Sequence, residues 1–177
     1  MKGVMKMPGT RRGILLGALL ALAAGAAGGA DTLATRFGWF GTLAGSCWKA
    51  EHADGKGSDV QCFEPQYGRF VRGNGKVYEG TTLLVETDSV FAVDPRSGRI
   101  VFTQWASNGN FGSGVITVEN ATFLTFEPQP AAAGKPEIRY QWLKTDADSF
   151  RATRQRHEGP NWVEESAVVY KRQGGGR

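Results

Sequence analysis

The stretch GSCWKAEHADGKGSDVQCFE (residues 45–64) contains both cysteines of the chain, with an Asp-Gly pair between them. Asp54 and Gly55 predict a two-residue hairpin turn, because a type I′ turn needs the positive φ that these residue types tolerate. Counting outward from this turn places Cys47 directly opposite Cys62, at a separation that a disulfide spans. We therefore predict a β-hairpin with a disulfide between its strands. A four-residue loop at residues 54–57 would instead shift the register and make the pair diagonal.

Other interpretations of the cysteines fit the sequence less well. There is no CxxC redox motif, and a metal site would need more cysteine or histidine than the chain offers, since its only histidines are His52 and His157. AGSC at residues 44–47 is weakly similar to a lipoprotein acylation box. It lies well past the apolar leader, however, and acylation of Cys47 would leave Cys62 unpaired. No metal site is predicted.

The first thirty residues have the pattern of a secretory signal peptide. Basic residues precede an apolar run at residues 14–27, and small residues follow it. We expect cleavage before Asp31 and a mature protein in the periplasm or outside the cell, where a disulfide is stable. The alternative is an uncleaved anchor, but the run is short beside the roughly 20 apolar residues that a span needs. No stable membrane span is expected after cleavage.

Removal of this segment changes the net charge. The whole chain carries +4, but four of its 21 basic residues lie in residues 1–30, and the 17 that remain balance its 17 acidic residues. A near-neutral mature protein gives no electrostatic reason to expect nucleic acid as a partner.

From residue 46 onward, short alternating segments succeed one another at spacings of 8 to 12 residues. Glycine, proline and asparagine separate them, as at residues 73–75, which predict a hairpin turn, and at residues 94–98. We predict an all-β fold: a single antiparallel up-and-down barrel of about eight to ten strands over residues 46–173. A short helical segment is expected in the lead-in at residues 31–45, a proline- and alanine-rich surface loop at residues 128–136, and a disordered tail at residues 174–177.

The first strand opens with LAGSCW (residues 43–48), and the chain continues with VYEGTTLLVETDS and GRIVFTQWASNGNFGSG. This layout resembles calycin-like (lipocalin-like) β-barrel families of exported bacterial proteins of unknown function. The spacing departs from that of lipocalins, since Gly45 stands three residues before Trp48 rather than two. The resemblance implies a barrel with an apolar cavity and implies no particular ligand.

A related barrel family binds haem through one histidine on a late strand, a position that His157 could occupy. Its neighbours Glu158, Gly159 and Pro160 are more typical of a strand end at the surface. No cofactor is therefore predicted.

Large aromatic residues on central strands are the candidate walls of a ligand pocket. Polar residues near them are the candidate anchors for a ligand, and core packing is the alternative role of the aromatic residues. Arg154, in phase with Phe150 and Ala152, could instead form an ion pair with Glu164 that closes one end of the barrel. The candidates are Phe102, Trp105, Tyr140 and Trp142 for the walls, and Gln104, Arg154 and Glu164 for the anchors.

No catalytic motif is visible. GNFGSG (residues 109–114) lacks the lysine of a phosphate-binding loop, and its Gly-Ser-Gly is not in the strand-to-helix setting of a nucleophile elbow. The leading hypothesis is a barrel that binds a small apolar or amphipathic molecule in the cell envelope. One alternative is a filled barrel that acts as a structural or interaction module, with no protein partner identified. The other is a small-molecule enzyme, which predicts a perturbed carboxylate or His157 in the barrel mouth.

Overall fold

The chain folds into one closed barrel of ten antiparallel strands in a computed structural model that describes residues 28–129 and 137–174. Each strand pairs with its neighbours in sequence, and the first pairs with the last, which confirms the predicted all-β up-and-down barrel. The predicted signal peptide up to residue 27, the loop at residues 130–136 and the last three tail residues lie outside the described part of the chain. The strands are β1 (Ser46–Glu51), β2 (Gly57–Gln66), β3 (Phe70–Glu79), β4 (Thr82–Val93), β5 (Ile100–Ala106), β6 (Phe111–Asn120), β7 (Phe123–Pro128), β8 (Ile138–Lys144), β9 (Ser149–Glu158) and β10 (Asn161–Arg172).

The disulfide hairpin forms in the predicted register. Cys47 of β1 lies directly opposite Cys62 of β2, and their sulfur atoms are 2.04 Å apart. The loop contains four residues, 53–56, because the His52 N–H donates to the Gly57 carbonyl. This loop is centred on the same Asp-Gly pair as the predicted two-residue turn, so the pairing of the cysteines does not change. Gly55 has the expected positive φ, +68°.

The glycines at 73 and 75 do not form the predicted hairpin turn. They lie inside β3, and the chain reverses instead at residues 67–69 and 80–81. A Cβ on Gly73 would lie 3.0 Å from the Phe91 ring, and one on Gly75 would lie 2.5 Å from Thr87 Oγ1. These glycines therefore leave space inside the barrel for side chains of β4, which is a packing role that their local sequence does not reveal.

A helical segment plugs one end of the barrel, in agreement with the predicted lead-in helix. Helix α1 (Gly28–Phe37) continues into a 3₁₀ helix (Gly38–Leu43), and Leu33, Phe37 and Phe40 are fully buried. The Phe40 ring packs edge-on against Phe91, with ring centroids 4.7 Å apart. No helix within the described residues is long and apolar enough to cross a membrane.

The described connections at the end opposite the plug include the disulfide hairpin loop and the β9–β10 turn. The seam between β1 and β10 has the shortest register in the barrel, Trp48 with Arg172 and Lys49 with Lys171, and the Gln173 N–H after β10 also donates to the Cys47 carbonyl. The main-chain ladder stops there, before it reaches the unplugged end.

Candidate ligand cavity

A cavity of about 620 Å³ occupies the half of the barrel away from the plug and opens between the connections at that end. Alternate residues of each strand point into it, because successive side chains of a β-strand face opposite sides of the sheet. Its deep part is lined by Phe63, Phe91, Phe102, Phe126, Trp142 and Tyr170, and its wall toward the opening by His52, Asp59, Gln61, Thr87, Gln104 and Arg154. The cavity is thus apolar at its floor and polar nearer its mouth.

The floor is a continuous set of packed aromatic rings. Trp142 lies 4.6 Å from Phe126 and stacks on Phe150 at 4.8 Å between ring centroids, and Phe150 stacks in turn on Tyr170 at 4.8 Å. Phe40 of the plug contacts Trp142 from below at 6.1 Å. These contacts pack the rings of the floor on one another and join the floor to the plug.

Asp59 is the acidic group within the wall. Its carboxylate accepts hydrogen bonds from Gln61 Nε2, at 2.9 Å, and from the Tyr170 hydroxyl. Burial raises the pKa of the Asp59 carboxyl above its ordinary value, although both hydrogen bonds and the charge of His52 oppose the rise. Burial, together with the charge of Asp59, raises the pKa of Tyr170 well above its ordinary value. The wall thus holds a desolvated carboxylate that depends on neutral donors.

Two glycines leave free space along the cavity wall. A Cβ on Gly75 would lie 2.8 Å from Gln61 Nε2, so the missing side chain lets Gln61 lie along the wall and reach Asp59. Gly112 of β6 lies opposite Gln104, and a Cβ there would meet nothing within 4 Å. The space in front of Gly112 is part of the cavity.

At the rim, Arg154 pairs with Glu165 rather than with Glu164. The register of β10 shifts between Glu164 and Ser166, which is a β-bulge that turns Glu165 toward Arg154 and Arg156. Glu164 lies on the outer face, where its carboxylate is 2.6 Å from the Arg151 guanidinium. A bulge adds one residue to a strand and reverses the facing of the residues after it, so strict alternation could not locate this ion pair.

The sequence candidates separate into two groups by strand phase. Phe102, Gln104, Tyr140, Trp142 and Arg154 line the cavity. Trp105 and Glu164 lie on the outer face, and Trp105 is 45% exposed. Phe102 and Gln104 are two apart on β5 and share a face, whereas Trp105 is one residue further and must face the other way.

The two histidines lie in different surroundings. His157 is on the outer face, where its ring packs on Trp162 at 4.8 Å and its Nδ1 lies 3.6 Å from a Glu137 carboxylate oxygen. His52 lines the cavity near its mouth, beside Asp59. The described residues contain no group of three or more histidine, cysteine or acidic side chains placed to hold a metal ion.

Sequence reasoning missed the polar group that Asp59 and Gln61 of the wall form with Tyr170 of the deeper part of the cavity. A signal for the first two was present, because they alternate with Val60 and Cys62 and are in phase with Phe63. Once Phe63 is known to face inward, Asp59 and Gln61 must face inward as well. Tyr170 gave no such signal. Its neighbours, the apolar Val169 and the charged Lys171, both face outward, so their chemical character does not show which face of β10 points into the barrel.

Neither a scan against protein-family models nor a search of curated proteins finds a match to the chain. The closed ten-stranded barrel is compatible with the calycin-like resemblance at the level of the fold.

Proposed function

We propose that the protein is an exported barrel that binds one small amphipathic molecule in its cavity, within the cell envelope. The observation that carries this proposal is the cavity of about 620 Å³, closed by the plug at one end and accessible at the other. Its volume lies within the range of about 300–1,000 Å³ that is usual for small-molecule sites. Its division into an apolar floor and a polar wall matches a ligand with one apolar and one polar end.

The driving force would be burial of the apolar end of the ligand against the aromatic floor. Each buried CH₂ group contributes about 0.8 kcal/mol. A floor of rings that already pack on one another needs little ordering when the ligand arrives, which reduces the entropic cost of binding. The polar wall would orient the other end toward the opening.

Export is supported by the leader pattern in residues 1–30 and by the Cys47–Cys62 disulfide, a bond that persists in oxidising compartments. Cleavage before Asp31 would keep the plug residues Leu33, Phe37 and Phe40 in the mature protein. The floor of the cavity therefore does not depend on the leader. The mass of protein recovered from the exported fraction would test this: an N-terminus near Asp31 and the loss of two hydrogens support export, and the full-length reduced mass contradicts it.

Binding is tested by titration with N-phenyl-1-naphthylamine, an uncharged apolar dye that fluoresces when it leaves water. We expect saturable binding to the wild-type protein. Gly112→Leu should weaken the binding at least tenfold, because the new side chain occupies the free space of the cavity without a backbone conflict. Ser113→Leu adds the same side chain to the outer face of the same strand and should leave the affinity within about twofold.

Absence of saturable binding to the wild-type protein would contradict the proposed function. Equal binding by Gly112→Leu and wild type would also contradict it, since the dye would then occupy another surface. Chemical denaturation of both leucine variants would establish that each remains folded during the titration.

A further inference from the structure

The arginines at the rim of the cavity have a partner of opposite charge, whereas Asp59, deeper in the wall, has no such ion pair within the described part of the chain. At the rim, Arg154 and Arg156 both pair with Glu165, so the cationic groups there already have an anionic partner. Deeper in the wall, Asp59 accepts hydrogen bonds from the uncharged donors Tyr170 and Gln61, and the basic side chain that acts on it is His52, which forms no ion pair with it. Within the described residues no lysine or arginine forms an ion pair with Asp59.

A carboxylate removed from water without a cationic partner is unfavourable, and hydrogen bonds from neutral groups offset only part of that penalty. A carboxylate has about four lone-pair positions. Tyr170 and Gln61 each use one, which leaves acceptor positions for N–H donors that approach from the cavity.

Asp59 also lies at the depth in the cavity that the polar end of an amphipathic ligand would reach. Along β2 it is followed by Gln61 and then by Phe63, which belongs to the aromatic floor. A ligand whose apolar part lies on the floor would therefore bring its polar end to the level of Asp59. Tyr170 and Trp142, with ring centroids 6.5 Å apart, each stack one face on Phe150 and also line the cavity, and aromatic rings attract cations.

We infer that the cavity selects a small amphipathic amine, whose protonated nitrogen pairs with Asp59 while its apolar part lies on the aromatic floor. This inference rests on the proposed function, and it specifies the chemical class of the ligand. The raised pKa of the Asp59 carboxyl agrees with it, since burial outweighs both hydrogen bonds and the charge of His52, and a ligand cation would stabilise the carboxylate further.

The test compares three eight-carbon probes that differ only in the polar end: octylammonium, octanol and octanoate. Their affinities for the wild-type protein are measured by isothermal titration calorimetry at pH 8, where histidine ordinarily carries little charge. We expect octylammonium to bind at least tenfold more tightly than octanol, and octanoate to bind most weakly. In Asp59→Asn, octylammonium and octanol should bind within about threefold of each other, because the amide has no charge to offer.

The probes separate failure of this inference from failure of the proposed function. If octanol binds as tightly as octylammonium, or octanoate binds most tightly, the cavity still takes an amphipathic ligand but the amine assignment is wrong. If none of the three binds to the wild type, the proposed function itself fails.

A further measurement makes the assignment independent of whether Asp59→Asn folds. In the wild-type protein, the carboxyl ¹³C resonance of Asp59 should shift on addition of octylammonium and remain in place on addition of octanol. Tighter binding of octylammonium without a shift of this resonance would show that a different group recognises the amine and would overturn the role of Asp59.

Discussion

The side chains of Asp59 and Tyr170 share a hydrogen bond that crosses β1, the strand that separates their own strands. Ala50 lies opposite Asp59 in β1, and its single methyl group leaves room for the two longer side chains to meet above it. The main-chain ladder between β1 and β10 ends at Lys171, the residue after Tyr170. The hydrogen bond therefore continues the closure of the barrel where backbone pairing stops.

Tyr170→Phe should lower the free energy of unfolding by about 1–3 kcal/mol at pH 7, because it removes a donor from a buried carboxylate. Tyr170 is 4% exposed, so water cannot readily replace the lost group. Urea denaturation measures the change. Tyr140→Phe is the matched control, since Tyr140 lies at the mouth and is 38% exposed, and we expect a change below about 0.5 kcal/mol there. Equal effects of the two substitutions would contradict a structural role for the Asp59–Tyr170 bond.

Asp59→Asn should become more stable relative to wild type as the pH rises. The folded protein holds a proton on Asp59 more tightly than the unfolded chain, whose ordinary pKa is 3.8. The stability of the wild type therefore falls as the pH rises from 3.8 through the raised folded pKa, and the Asn variant escapes this loss. Denaturation curves between about pH 3.5 and pH 7 measure the difference, which should be largest at pH 7.

Asp94→Asn provides a control in which the change of relative stability with pH should have the opposite sign. Hydrogen bonds from the Ser97 hydroxyl and the Arg96 N–H lower the pKa of the exposed Asp94 carboxyl. Its contribution to stability is present above the ordinary pKa and is lost as the pH falls through the lowered folded value. Asp94→Asn should thus become less stable relative to wild type as the pH rises. The same direction for both variants would contradict the assigned environment of Asp59.

Gly114→Ala should destabilise the barrel by about 1–3 kcal/mol, because the added methyl group would overfill the packed floor. A Cβ at this position would lie 2.3 Å from the Glu127 carbonyl oxygen and 2.7 Å from the Phe102 ring. Gly112→Ala, on the same face of the same strand, points into open space and should be neutral or slightly stabilising. Thermal unfolding of the pair measures the contrast, and a tolerated alanine at 114 would contradict the packing described for β6.

Replacement of Cys47 and Cys62 by serine should cost about 3 kcal/mol of stability in the chain-entropy estimate for a 15-residue separation. The effect should be visible because the register between β1 and β10 covers only two residue pairs, so β1 depends strongly on its pairing with β2. Urea denaturation of the double variant against the oxidised wild type measures it. Labelling of denatured, unreduced protein should find no free thiol, and two labelled thiols in the exported protein would show that the disulfide does not form.

Turn residues and short alternating segments in the sequence were sufficient to predict the first hairpin and the antiparallel barrel. The Asp54-Gly55 pair and the equal spacing of the two cysteines from it determine the register of the first hairpin, and the enlarged loop preserves that register because it is centred on the same pair. Repeated short alternating segments with turn residues between them determine an antiparallel barrel, since such strands leave no exposed edge only when the sheet closes.

Local patterns failed where a residue's role depends on its neighbours across the barrel. Gly73 and Gly75 resemble a turn in sequence, but rings and side chains from neighbouring strands need the space that these glycines leave. Glu165 rather than Glu164 pairs with Arg154, because a bulge in β10 changes the phase of one strand against the next.

Turn chemistry and residue spacing along the chain were thus enough to predict the fold class, the antiparallel order of successive strands and the disulfide, because each of these depends on residues that are close in sequence. They were not enough for the bounds of β3, which contains the glycines that resemble a turn. The meeting of Tyr170 with Asp59 and Gln61 in the cavity came from the tertiary structure alone. Asp59 and Tyr170 are more than one hundred residues apart, and they become neighbours only when the last strand closes on the first. Their hydrogen bond and the desolvation of the carboxylate arise from that closure.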